Sequence, residues 1–172
     1  MTASPEYIEV LLLSADLLEY PDETHREKAE HLGRVLDDTT CTSIDWTQEE
    51  IEAEYLRLFS IGASQKRTVL YAAWWRDGRL RGPTYRRIET FYTQSGYERD
   101  PDDPLPADHL SVMLRFLSIL IEEGEIESAK AFSRFLTWLN ELEKSLESTS
   151  VLCSYLQAVQ TAAHVVTIIN ET

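Results

Sequence analysis

Two short stretches of the chain carry side chains able to do more than pack. The first is Val69-Leu70-Tyr71-Ala72-Ala73-Trp74-Trp75, three large aromatics set among small residues. Lys66-Arg67 precede it, and Arg76, Arg79, Arg81, Arg86 and Arg87 follow, with only Asp77 and Glu89 as local carboxylates up to position 89. Trp and Tyr offer rigid, amphipathic contact area at low entropic cost, so their concentration outside a periodic element suits capture of a peptide. The plain alternative is a loop anchored on a core, its arginines paired with acidic neighbours. The second stretch is Pro106-Ala107-Asp108-His109-Leu110. A helix beginning at Pro106 puts Asp108 in its first turn, where a carboxylate accepts backbone N–H bonds and favours the positive dipole end. The same register puts His109 on the face of Val112, Met113 and Phe116 and predicts that it is partly buried. Here the alternative is a helix cap beside a core histidine.

Other chemistry finds little support. The chain has no phosphate-binding glycine loop, GxGxxG, HExxH, GxSxG or CxxC motif. His25 and His31 fall on a polar helix and are expected to be solvated; His164 falls in an apolar one and is expected in a core or groove. Cys41 and Cys153 match no metal-ligand spacing and fit a reducing compartment. Sixteen Lys and Arg against 30 Asp and Glu leave a net charge of −14. Such a surface repels nucleic-acid phosphate and steers basic peptides toward it, or simply keeps the protein soluble. The first Lys or Arg is Arg26, so no basic segment precedes the apolar Val10-Leu11-Leu12-Leu13. No run approaches the ~18 apolar residues of a membrane span. The expectation is a soluble, cytoplasmic protein.

The elements that must position these residues read as helices. A chain of 172 residues, 43% hydrophobic with six Gly and six Pro, is the size of one domain with a sizeable core. Ser4-Pro5 opens a helix with Tyr7, Ile8, Leu11, Ala15 and Leu18 inward, ending by Pro21. A more polar helix covers Glu23 to Leu36, and Asp37 to Asp45 is a loop. Thr47 with Glu50 forms a capping box opening a helix whose Ile51, Tyr55, Leu58 and Phe59 share a face, up to Gly62. Ala63 to Gly82 shows no periodicity, and a segment of that length without an element often carries function. Helix resumes from Pro83 to near Gly96, Tyr97 to Leu105 is irregular, and Pro106 starts the most apolar helix, which Gly124 stops. Amphipathic stretches at Glu125 to Leu139, Asn140 to Leu146 and Val151 to Ile169 follow. With no strand run or repeat, the predicted architecture is a single-domain all-α bundle over residues 1–172.

In this order, three segments resemble one family. They are Glu54-Tyr55-Leu56-Arg57-Leu58-Phe59, the loop with Tyr71-Ala72-Ala73-Trp74-Trp75, and Pro106-Ala107-Asp108-His109-Leu110 followed by Leu114-Arg115-Phe116-Leu117. Together they resemble the TorD/DmsD/NarJ family of cytoplasmic redox-enzyme maturation chaperones, over a stretch from about Tyr7 to Phe135-Leu136-Thr137-Trp138. The resemblance implies a TorD-like helical bundle that is not an enzyme. It implies binding of the N-terminal leader, of the twin-arginine type or a related one, of a molybdopterin-containing oxidoreductase catalytic subunit. That subunit is held until its cofactor is inserted, before assembly and export. The implied peptide-binding residues are Leu58, Phe59, Tyr71, Trp74, Trp75, Asp108, His109, Arg115 and Phe116. No metal or catalytic residue is implied, no cofactor beyond weak guanine-nucleotide binding, and either a monomer or a helix-swapped homodimer hinged at Ala63 to Gly82. A generic helical interaction domain is the alternative, as is a metal-dependent hydrolase using Asp108 and His109. The latter needs more clustered His and Asp ligands than the chain supplies.

Overall fold

The computed structural model describes residues 5–38, 45–60 and 68–171. Among them α-helices follow one another as α1 (Pro5–Leu17), α2 (His25–Val35), α3 (Gln48–Phe59), α4 (Ala72–Asp77) and α5 (Pro83–Gln94). The second half continues with α6 (Leu110–Glu122), α7 (Ile126–Ser133), α8 (Leu139–Thr149) and α9 (Cys153–Glu171), with a 3-10 turn over Arg134–Leu136 between α7 and α8. No strand forms among the described residues, and the one departure from helix pairing is an isolated antiparallel bridge between Tyr71 and His109.

Sequence chemistry explains the arrangement. Helix α6 is apolar nearly all round, the mark of a central helix, and all but three of its residues are buried. Helix α1 packs on α6, α9 and α2, while α7 packs on α6 and α9, and α8 lies along α9. Phe116 of α6 sits among aromatics, with ring centroids 4.6 Å from Tyr92 and 4.7 Å from Phe132. The capping box at Thr47 and Glu50 is formed, each side chain accepting from the other residue's backbone N–H. Gly124 follows α6 at φ +76°, a left-handed turn that suits glycine. Glu54 ties α3 to the far end of the chain: buried, it accepts from Arg57 at 2.6 Å and from the Val151 backbone N–H at 2.8 Å. Burial acts to raise its pKa, and these donors outweigh burial and hold it below the ordinary value.

Several expectations are corrected. The segment expected to be irregular from 63 to 82 contains α4; six residues are too few for a periodic signal, and this helix depends on a partner elsewhere in the chain. The helix expected from Pro106 begins at Leu110, because residues 106–109 make a turn closed by the His109 N–H on the Pro106 carbonyl (3.0 Å). The helix expected to start at Glu23 starts at His25, and that residue is not solvated. His25 is 3% exposed, packed against Tyr155 and within 3.2 Å of the Ser154 hydroxyl. Its helix looks polar, but the opposite neighbour, α9, supplies the burial. His31, by contrast, is exposed as expected and pairs with Glu9. His164 is exposed, because the apolar residues of α9 leave it on the outer face. The Ser4 cap, Cys41, Gly62 and Lys66-Arg67 lie outside the described residues.

Candidate functional site

The two stretches singled out in the sequence meet. Helix α4 has no cap from its own Tyr71, and the cap comes from residue 108. The Asp108 Oδ2 accepts the Ala73 N–H at 3.0 Å, and the Asp108 carbonyl accepts the Ala72 N–H at 3.0 Å. The Leu110 N–H then donates to the Leu70 carbonyl at 2.8 Å. Asp108 therefore acts at the start of α4, not in the first turn of α6, and is itself only 2% exposed. Behind the turn, the buried Tyr92 hydroxyl donates to the Ala107 carbonyl at 2.8 Å.

His109 is the N-cap of α6, its Nδ1 accepting the Ser111 N–H at 3.3 Å. Burial first, and then the Arg115 charge, lower its pKa to about 4. The ring is therefore neutral at pH 7 with its proton on Nε2, and that N–H has no hydrogen-bond partner among the described residues. The half-buried Tyr71 ring meets His109 edge-on at 5.3 Å, and its hydroxyl also lacks a hydrogen-bond partner among the described residues. Burial and the Asp108 charge push the Tyr71 pKa up, so the hydroxyl keeps its proton. Burial also raises Asp108, against the stabilising Ala73 N–H. Among the described residues the cluster thus holds two donors without a hydrogen-bond partner, one on half-buried Tyr71 and one on His109, which is 2% exposed.

The other expected residues divide. Trp75 is an anchor: its indole N–H donates to the Val69 carbonyl at 2.7 Å and its ring stacks on Trp138 at 5.9 Å. Trp74 is half-buried on the same short helix. Leu58, Phe59 and Phe116 are buried in the core, Phe59 within a separate ring cluster with Tyr55 and Tyr155. Arg115, on α6 beyond His109, is turned toward α1, where it pairs with Asp16 at 2.5 Å and with Glu19. Sequence reasoning missed Asp16, Glu19 and Tyr55 as the rim of this cluster. Burial, with added repulsion from Tyr71 and Glu19, raises the Tyr55 hydroxyl's pKa. A signal existed in Asp16 and Glu19, two carboxylates three residues apart at the C-terminal end of the apolar α1 stretch.

A hollow of about 550 Å³ lies elsewhere, at the C-terminal end of α5, lined by Tyr92, Gly96, Tyr97 and Arg99 among others and by none of the expected site residues. Among the described residues no group of three or more His, Cys, Asp or Glu side chains could hold a metal ion. No helix there is long and apolar enough to cross a membrane.

The fold and site together are an all-α bundle whose short aromatic helix α4 is capped by the Asp108-His109 turn. The chain belongs to the nitrate reductase delta subunit family, whose model matches residues 19–150. Among solved structures it is similar to a candidate redox enzyme maturation protein from Archaeoglobus fulgidus, with a TM-score of 0.62 and 23% identity. The match covers 95% of this chain and 91% of that one, and at this identity the likeness is one of fold. No curated protein matches the chain closely enough for comparison.

Proposed function

We propose that the protein is a chaperone that binds the N-terminal leader of a molybdopterin-containing oxidoreductase subunit while that subunit acquires its cofactor. The observation that carries this reading is the Tyr71–His109 junction, where two donors without a partner among the described residues stand beside half-buried aromatics. The Tyr71 hydroxyl and the His109 Nε2–H suit the carbonyls of an extended peptide, and Tyr71 with Trp74 suits its apolar side chains. The Asp16–Glu19–Arg115 cluster at the rim carries one net negative charge and lies where a leader guanidinium would approach. Asp108 and Trp75 act as positioning residues that hold α4 in place. Family membership supports the client class, and the acidity of the chain supports a basic ligand.

The test is fluorescence anisotropy with a labelled synthetic leader bearing an Arg-Arg pair ahead of an apolar stretch. Tyr71→Ala and Trp74→Ala should each weaken binding by about 30-fold, the equivalent of ~2 kcal/mol for an interface aromatic, with helical circular dichroism unchanged. If both variants fold and bind like the parent, the peptide site lies elsewhere.

A further inference from the structure

In a chain of net charge −14, one face is strongly basic. The corner between α4 and α5 carries Arg76, Arg79, Arg81, Arg86 and Arg87, all exposed. None of them forms an ion pair with a described carboxylate. Arg76 donates instead to the Arg134 main-chain carbonyl at 3.2 Å and to the Thr137 hydroxyl. Two carboxylates share this stretch, Asp77 and Glu89, and neither forms an ion pair among the described residues. Asp77 accepts the Thr84 N–H at 2.8 Å and the Thr84 hydroxyl at 2.9 Å, capping α5. Glu89 lies near the Tyr85 hydroxyl and helps to raise its pKa, after burial. Arg81 is held at φ +53°, a conformation that favours glycine, so an arginine stands where backbone sterics would choose otherwise.

We propose that this face is a second docking surface, distinct from the Tyr71–His109 cluster, and that its occupant is an acidic segment of a protein partner. The occupant's chemistry follows from the local structure. A phosphate ligand favours an open helix N-terminus. Here Pro83 contributes no N–H to the first turn of α5, and the Asp77 carboxylate already occupies that end. Leu80, 38% exposed between Arg79 and Arg81, adds an apolar contact that suits a polypeptide better than a polynucleotide backbone. An extended polyanion or an anionic bilayer would also reach past the corner to the acidic remainder of the surface. Exposed charges act over a Debye length of about 8 Å at physiological salt, so a short acidic segment can stay within the basic face. Arginine forks bind carboxylates bidentately, which gives such a segment geometric as well as charge recognition.

The experiment is anisotropy of a labelled oligoglutamate peptide with the full chain, against the triple variant R79E/R81E/R87E. Parallel titrations use labelled oligothymidylate and anionic phosphatidylserine vesicles. The oligoglutamate should bind saturably, lose affinity with added salt, and bind the triple variant roughly tenfold or more weakly. Arg81→Gly removes one charge at a backbone conformation that glycine prefers, so it keeps the fold and should weaken binding about two- to fivefold. Absence of saturable binding to the parent, equal binding by the variants, or tighter binding of oligothymidylate or vesicles would overturn the proposal. The basic leader peptide should bind the triple variant at least as well as the parent, so this outcome is separable from the test of the leader site.

Discussion

Replacing Asp108 separates two roles that a buried carboxylate can play. Its Oδ2 is the side-chain cap of α4, and the acid is 2% exposed. Asp108→Ala leaves the Ala73 N–H without its acceptor in a buried place. A hydrogen bond to a charged group is worth about 1.5–3 kcal/mol, and an orphaned buried donor costs a similar amount, so the expected loss is about 2–3 kcal/mol. For a chain of this size that corresponds to a fall in melting temperature of roughly 4–12 °C. Asp108→Asn keeps an acceptor oxygen and removes the charge. Burial raises the folded pKa of Asp108, so the native state holds its proton more tightly than the unfolded chain does. Stability therefore declines as pH rises from the ordinary carboxylate value through the raised one, and the cost of the buried charge is fully present at neutral pH. Removing that charge offsets the weaker hydrogen bond, and Asp108→Asn should remain within about 1 kcal/mol of the parent. Urea unfolding with linear extrapolation reads both values. An Asn variant as unstable as the Ala variant, or an Ala variant as stable as the parent, would refute the capping role.

Two more perturbations follow from the same geometry. His25 and His109 are both held neutral, with pKa values lowered to about 4 from an ordinary 6.5. The stability they contribute is present above pH 6.5 and is lost as pH falls toward 4, by roughly 3 kcal/mol for each residue. His25→Gln should flatten part of that decline in denaturant titrations, and a parent equally stable at pH 6.5 and 4.5 would contradict it. Trp75→Ala removes the Trp138 stack and the Val69 hydrogen bond and should cost about 3 kcal/mol, read by thermal melting, whereas Trp74→Ala should cost less than half as much.

What the sequence made legible depended on how local each signal was. The Thr47 capping box, the glycine stop after α6 and the periodicity of α1, α3, α5 and α6 are encoded within a few residues, and they formed. Helix α4 escaped because its N-terminal cap is Asp108, 35 residues further on. The start of α6 was displaced for the complementary reason: backbone groups of 108–110 are spent on the 70–73 strand of chain. His25 was misjudged because a polar helix can still bury one side chain against a distant partner, here Ser154 and Tyr155. Within the candidate site, the aromatic stretch and the Asp-His pair could be read from residue type alone. Their contact required the pairing of residues 70–73 with 108–110, and the orientation of Arg115 toward Asp16 and Glu19 required the packing of α1 on α6.

In the proposed complex a leader peptide lies across the junction of Tyr71 and His109. Hydrogen–deuterium exchange of the full chain, with and without a saturating synthetic twin-arginine leader, tests it most directly. The predicted result is slowed exchange concentrated at residues 69–75 and 108–115, with the hollow at 96–101 and the α8–α9 hairpin unchanged. Protection confined to that hollow or hairpin, or no protection at a saturating peptide concentration, would contradict it.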